Sequence, residues 1–225
     1  MLAVPCPVQE IARRDPGLEA IRTPADTISY GELDARANYA AARLRAVGCG
    51  AGDRVGLLMP NGEDYLILLL ALWRIGCVAC PISTRLPGEA VADALAGVSA
   101  RLLVAEGEQR DAEDKGIRVV MPGNLSPGNL EKEVQGADAN HPQPLLEKEG
   151  SFSSSGVSRI PQLDLELDRS VVAVFTSGST GRPKAALLSW GNLYYNALGS
   201  NRNIPLGPGD RWLLSLPLYH VGGLG

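Results

Sequence analysis

The chain has 225 residues, 45% of them hydrophobic, which is enough apolar material for a sizeable core and excludes a disordered polypeptide. Aromatics make up only 5%, with two Phe, so the core must be built mainly from Leu, Val, Ile and Ala. Lys plus Arg number 21 against 25 Asp plus Glu, a net charge of −4, which argues against a dedicated nucleic-acid binder with its concentrated basic face.

The N-terminus, Met1-Leu-Ala-Val-Pro-Cys-Pro7, has no basic stretch and its prolines interrupt the short apolar run, so it does not read as a signal peptide. Residues 31–47 are predicted as a helix from Leu33, Ala37, Ala40, Leu44 and Val47, with Gly48 and Gly50 stopping it. Asp53–Met59 is a predicted strand, followed by a Pro60-Asn61-Gly62 turn. Asp64–Ile75 is apolar on nearly every side, as expected of a helix buried on most faces, and its stretch Tyr65–Trp73 is too short to span a bilayer. A strand (Cys77–Ile82), an amphipathic helix (Pro87–Gly97) and a short strand (Arg101–Val104) follow. Strands alternating with helices predict an α/β fold with a mainly parallel sheet and crossover helices.

Four cysteines, at 6, 49, 77 and 80, are too few for a secreted disulfide scaffold. Cys77 and Cys80 have C-x-x-C spacing with no second pair to complete a zinc site, and their apolar surroundings predict buried packing rather than metal or redox chemistry. These features together predict a soluble, cytoplasmic protein without a metal-ligand set.

The pattern breaks between Pro122 and Pro161, a window with 5 Pro, 5 Gly and 6 Ser. Pro-Gly-Asn-Leu occurs there twice (122–125, 127–130), as does Leu-Glu-Lys-Glu (130–133, 146–149). Such a composition buries little apolar surface, so a flexible surface insertion is expected, with no role for His141. The chain thus divides into a first α/β part (1–121), the insertion (122–161) and a final part (162–225) that carries the chemistry.

In that final part, the apolar run Ser170–Phe175 is predicted as a buried central strand and leads into Thr176-Ser-Gly-Ser-Thr-Gly-Arg-Pro-Lys184. Gly178 and Gly181 let backbone N–H groups approach an anion closely. Thr176, Ser177, Ser179 and Thr180 supply hydroxyl donors, and Lys184 supplies a positive point charge behind the stiff Pro183. A solvated Ser/Gly linker is the competing explanation. A linker is rarely preceded by a core strand and followed at once by an apolar run such as Ala185–Leu188. The spacing is not that of a Walker A loop, because Pro183 stands five positions after Gly178.

Thr176–Lys184 resembles the phosphate loop of the adenylate-forming superfamily of acyl- and aryl-CoA synthetases, luciferases and peptide-synthetase adenylation domains. The likeness extends to Ser189-Trp-Gly-Asn192, Gly207-Pro-Gly-Asp210, Trp212–Pro217 and Tyr219-His220-Val-Gly-Gly-Leu224, and upstream to Tyr30–Leu33 and Gly52–Val55, which sit where such enzymes have their first helix and first nucleotide-domain strand. Within the superfamily, Trp190–Ser200, Asp210–Leu213 and His220–Leu224 are most similar to the o-succinylbenzoate–CoA ligases of menaquinone and phylloquinone synthesis.

The resemblance implies the N-terminal part of the large adenylate-forming domain and two half-reactions. A small-molecule carboxylic acid and ATP, with Mg²⁺, give an acyl-adenylate; coenzyme A then gives the thioester. Thr176, Ser177, Gly178, Ser179, Thr180, Gly181 and Lys184 are the implied nucleotide-binding residues, and Lys184 and His220 the implied catalytic ones, with His220 lining the acyl pocket. Trp190, Trp212 and Tyr219 are expected to pack or to wall that pocket, and Tyr194 and Tyr195 to pack in the core.

In the superfamily the adenine-binding motifs, the Mg²⁺-binding Glu, the hinge and the lid lysine follow the His-Val-Gly-Gly motif. The expectation is therefore a fold incomplete at the C-terminus, a fragment inactive alone, exposed apolar surface near its end, and the missing portion as a candidate partner chain. The competing reading is a non-catalytic remnant or interaction module that keeps partial nucleotide binding.

Overall fold

The computed structural model describes residues 2–126, 163–176, 184–207 and 209–224. Strand β1 (Ala3–Pro5) and helix α1 (Pro7–Arg14) come first, then a ribbon of β2 (Glu19–Arg22) and β3 (Thr27–Ser29). The three strands among them leave no hydrophobic period, since each is three or four residues long and held by pairing. Helix α2 (Tyr30–Ala46) begins one residue before the predicted start, because Ser29 caps it: the Glu32 N–H donates to Ser29 Oγ at 3.2 Å, and the Ser29 N–H donates to Glu32 Oε2 at 2.9 Å. Tyr30–Leu33 thus opens the second helix of the chain, not the first, because α1 precedes it.

Strand β4 (Arg54–Leu58), helix α3 (Glu63–Ile75), strand β5 (Val78–Pro81), helix α4 (Gly88–Gly97) and strand β6 (Leu102–Ala105) fall where the sequence places them. Eight positions of α3 are buried, as its all-round apolar pattern requires. Gly76 ends it in the left-handed region at φ 85°, which a residue with a Cβ rarely adopts. Helix α5 (Arg110–Asp114) and strand β7 (Arg118–Val120) extend the alternation beyond what the sequence suggests. Pro122–Leu125, at the head of the predicted insertion, form a 3₁₀ turn with Leu125 buried in the core. Positions 127–162, His141 included, lie outside the described residues.

Strand β8 (Asp164–Glu166) pairs antiparallel with β1, setting Ala3 opposite Glu166. Strands β9 (Ser170–Thr176) and β10 (Lys184–Ser189) lead into helix α6 (Trp190–Asn203), and a single turn, α7 (Val221–Leu224), follows. The main sheet has six strands in the order β10-β9-β5-β4-β6-β7, parallel throughout except for the antiparallel edge strand β10.

Core residues cover both faces of this sheet, as a parallel sheet demands. On one face Val55, Leu57, Ala79 and Val104 pack with α2 and α3; on the other Leu103, Ala105 and Ala173 pack with α4 and α5. Gly56 sits where a Cβ would come within 2.7 Å of Leu95, so α4 lies close against β4. Among the described residues no helix is long and apolar enough to cross a membrane.

Candidate functional site

Strand β9 is buried from Val171 to Val174 and reaches the surface at Thr176. Its neighbour β5, and β4 beyond it, run parallel to it, so Thr176 emerges at the carboxyl ends of the parallel strands. Open α/β sheets bind ligands at that edge. The chain returns as β10, in a register that sets Lys184 directly opposite Thr176, whose hydroxyl donates to the Lys184 carbonyl at 3.3 Å. The two ends of the predicted phosphate loop are therefore held together by the hairpin itself. Ser177, Gly178, Ser179, Thr180 and Gly181 lie between them, outside the described residues. Both Thr176 and Lys184 are exposed, so a hydroxyl and an ammonium flank the loop with access to solvent.

His220 reaches the same edge by another route. The Pro60-Asn61-Gly62 turn follows β4, and Asn61 binds the backbone of the distant segment twice. Its Nδ2 donates to the Leu216 carbonyl at 2.8 Å, and its Oδ1 accepts from the Leu218 N–H at 2.9 Å. Leu218 is buried in the same cluster as α2 and α3, while Leu224 packs against Val171, Val172 and Val174 of β9. His220 is exposed between these two anchors, its ring 4.6 Å from that of Tyr219. Among the described residues no hydrogen bond joins His220 to Lys184 or Thr176; what the fold does is bring the hairpin and the His220 segment to one edge. Asn61 has no sequence signature beyond its turn, because its partners are backbone groups more than 150 positions away.

The aromatic residues sort differently from one another. Trp190 packs: its ring meets Trp73 edge to face at 4.6 Å, and Trp73 Nε1 donates to the Val171 carbonyl at 3.0 Å, tying α3 and α6 to β9. Tyr195 is exposed and Tyr194 only half-buried, their rings 5.4 Å apart, which corrects the expectation that both belong to the core. Only Gly191 of α6 is fully buried, so most of that helix stands over solvent. Trp212 and Leu213 are 63% and 84% exposed, in an extended segment that is not a strand. Arg211, beside them, reaches back to Glu19 Oε1 at 2.8 Å.

Among the described residues no cluster of three or more His, Cys, Asp or Glu side chains could hold a metal ion. The Thr176 hydroxyl can donate to a phosphate oxygen and the Lys184 ammonium can pair with its charge.

A sheet that is parallel but for its edge strand, with helices on both faces and an exposed hairpin at its carboxyl edge, defines an open α/β protein of the class that binds ligands at that edge. The chain belongs to the AMP-binding enzyme family, whose pattern matches residues 8–225. It is 33% identical over 214 residues to a feruloyl-CoA synthase of Amycolatopsis sp, which covers 95% of this chain and 39% of that protein. It is 28% identical over 209 residues to a 2-succinylbenzoate–CoA ligase of Bacillus cereus (strain Q1), covering 93% of this chain and 37% of that one. Its fold matches the o-succinylbenzoate coenzyme A synthetase of Bacillus subtilis in complex with ATP and magnesium ion, with a TM-score of 0.77 at 22% identity over 99% of this chain and 53% of the other. The chain thus spans about two fifths of the length of the curated relatives it matches.

Proposed function

We propose that this chain supplies the phosphate-holding part of an ATP-dependent acid–CoA ligase. A substrate carboxylate oxygen attacks the α-phosphorus of ATP; the bond from that phosphorus to pyrophosphate breaks, and an acyl-adenylate forms. The thiol of coenzyme A then attacks the acyl carbon and releases AMP, leaving a thioester. The demand on the protein in the first step is positional and electrostatic: hold the β- and γ-phosphates and offset the charge that develops on the leaving pyrophosphate. Thr176 and Lys184 flank the loop that would do so, Lys184 with a full positive charge and Ser177, Ser179 and Thr180 with hydroxyls. Magnesium would travel with the nucleotide phosphates, since the described residues offer it no carboxylate set.

The observation that carries this reading is the pairing of Thr176 with Lys184 at the carboxyl edge of the sheet, in a chain of the AMP-binding enzyme family. The acid in this reading is a carboxylic acid that bears an aromatic ring, a class that includes both ferulate and o-succinylbenzoate, the groups named for two relatives. Of these, o-succinylbenzoate is favoured by the Trp190–Ser200 and His220–Leu224 stretches, and it would place the protein in menaquinone synthesis. His220 would stand at the acyl side of the site.

The test is the affinity of the chain for pyrophosphate and ATP, read by ligand-induced shifts in thermal unfolding. Lys184→Ala is expected to weaken both by about tenfold, the value of roughly one charge-assisted hydrogen bond, without changing the unliganded midpoint. Equal affinity in wild type and variant would refute the assignment. Pyrophosphate release with ferulate and with o-succinylbenzoate, in the protein extended to the length of its relatives, separates the two acids.

A further inference from the structure

Strand β7 closes the sheet at the edge farthest from the Thr176–Lys184 hairpin, five strand spacings, or about 24 Å, from β10. Arg118 and Val120 stand two positions apart on β7 and so share a face. Val120 belongs there to the same buried cluster as Leu44 of α2. Arg118 reaches the carboxyl end of that helix, where its Nη1 donates to the Val47 carbonyl at 3.1 Å. From α2 itself, Arg43 turns to the 3₁₀ turn at Pro122–Leu125, and its Nε donates to the Asn124 carbonyl at 3.2 Å.

Both arginines line one cavity of about 330 Å³, together with Val47, Met121 and Asn124. That volume lies at the lower end of small-molecule sites, about 300–1,000 Å³. Among the described residues none that lines it is acidic. Each of the two arginines makes, among the described residues, its one side-chain hydrogen bond and no ion pair. A guanidinium carries five N–H donors, so most of the donors on each stay open to a ligand, while the bond already made holds the group in place. The last carbonyls of α2 oppose an anion with about half a negative charge, which two full positive charges outweigh. A second cavity of about 200 Å³ shares Val47 and Arg118 and is lined also by Arg54 and Arg101. Its one acidic residue, Asp53, already accepts from the Gly50 N–H at 2.8 Å.

We infer that the larger cavity binds the phosphate group of a small phosphate monoester, with Arg43 and Arg118 on its oxygens and Val47 and Met121 against the apolar body of the ligand. A carboxylate has one charge and two oxygens, enough for a single guanidinium fork. A phosphate monoester has nearly two charges at neutral pH and three terminal oxygens, which serve two forks at once. Binding is non-covalent, and the site is separate from the one proposed for the ligase reaction.

The experiment titrates phenyl phosphate into the full chain at about pH 7, where the phosphate is mostly dianionic, at constant ionic strength. The readout is the arginine Nε–H signals by NMR, assigned with Arg43→Gln and Arg118→Gln. The Arg43 and Arg118 signals are expected to shift together and to saturate with one dissociation constant, and benzoate should bind at least about tenfold more weakly. Arg118→Gln should weaken phenyl phosphate at least about tenfold as read at Arg43, with the circular dichroism spectrum unchanged. If that variant fails to fold, Arg43→Gln read at Arg118 makes the same comparison, and the wild-type titration stands by itself. Lys184→Ala should bind with the wild-type constant, since the hairpin is at the other edge of the sheet. The inference is overturned if chloride at equal ionic strength shifts both signals as far, if benzoate binds as tightly, or if only one of the two signals responds. Loss of the response in Lys184→Ala would place the phosphate at the hairpin and overturn it as well.

Discussion

The most informative perturbation of the fold is at the one buried charge that joins α2 to α3. The Arg74 side chain is only 1% exposed, and its Nη2 meets Asp34 Oδ1 at 2.6 Å. Its Nη1 donates to Asn38 Oδ1 at 2.6 Å and to the Asp34 carbonyl at 2.8 Å. Asp34 is different: its side chain is 25% exposed and still touches water. Removing the carboxylate therefore strands a buried guanidinium, whereas removing the guanidinium leaves a carboxylate that can be hydrated. Breaking a buried pair costs about 3–5 kcal/mol. Asp34→Ala is placed at the lower end, about 3 kcal/mol, because Asn38 and a carbonyl remain on Arg74 and Ala favours the helix. Arg74→Met keeps the apolar stem, and its expected cost is about 1 kcal/mol. The double variant should cost about 1 kcal/mol as well, far from the additive value of about 4. Urea unfolding at pH 7 reads this out: with a slope of about 2–3 kcal/mol/M, Asp34→Ala should lower the midpoint by roughly 1–1.5 M. Equal costs for the two single variants, or an additive double variant, would refute the reasoning.

Two further perturbations address the segment that carries His220. Asn61→Ala removes both bonds to Leu216 and Leu218, so amide hydrogen exchange at Leu218 should accelerate by about tenfold or more while the Thr176–Lys184 hairpin is unchanged; an unaltered exchange rate would show that Asn61 does not hold the segment. The Glu19 carboxyl is held near 2, against an ordinary 4.5, first by its hydrogen bond from Arg22 and then by Arg211. A depressed carboxylate value means the tether is present above the ordinary range and is lost as pH falls through about 2. An NMR titration of Glu19 should show this low midpoint, and Arg211→Ala should raise it toward the ordinary range; no change would place Arg211 free in solution.

The sequence by itself determined the elements that bury a repeating apolar face. Leu33, Ala37, Ala40 and Leu44 mark α2, the continuous apolar run from Tyr65 marks α3, and the β-branched run of β9 marks a central strand, because burial of a face leaves a periodic trace in composition. The Gly, hydroxyl and ammonium groups between Thr176 and Lys184, on which the proposed phosphate loop rests, are likewise read from residue type and spacing alone. Short strands such as β1 and β8 left no trace, because three residues stabilised by a partner far along the chain carry no period of their own. The failure at Tyr195 has a related cause: residue type says that a ring can be buried, but only the placement of α6 over solvent says that it is not. What the tertiary structure alone decided is adjacency between distant residues. It set Asn61 under Leu218 and Trp73 against Trp190, and it parted Cys77 from Cys80 into the cores on opposite faces of the sheet, because two sides of a sheet and the ends of its parallel strands are defined only once the strands are laid next to one another.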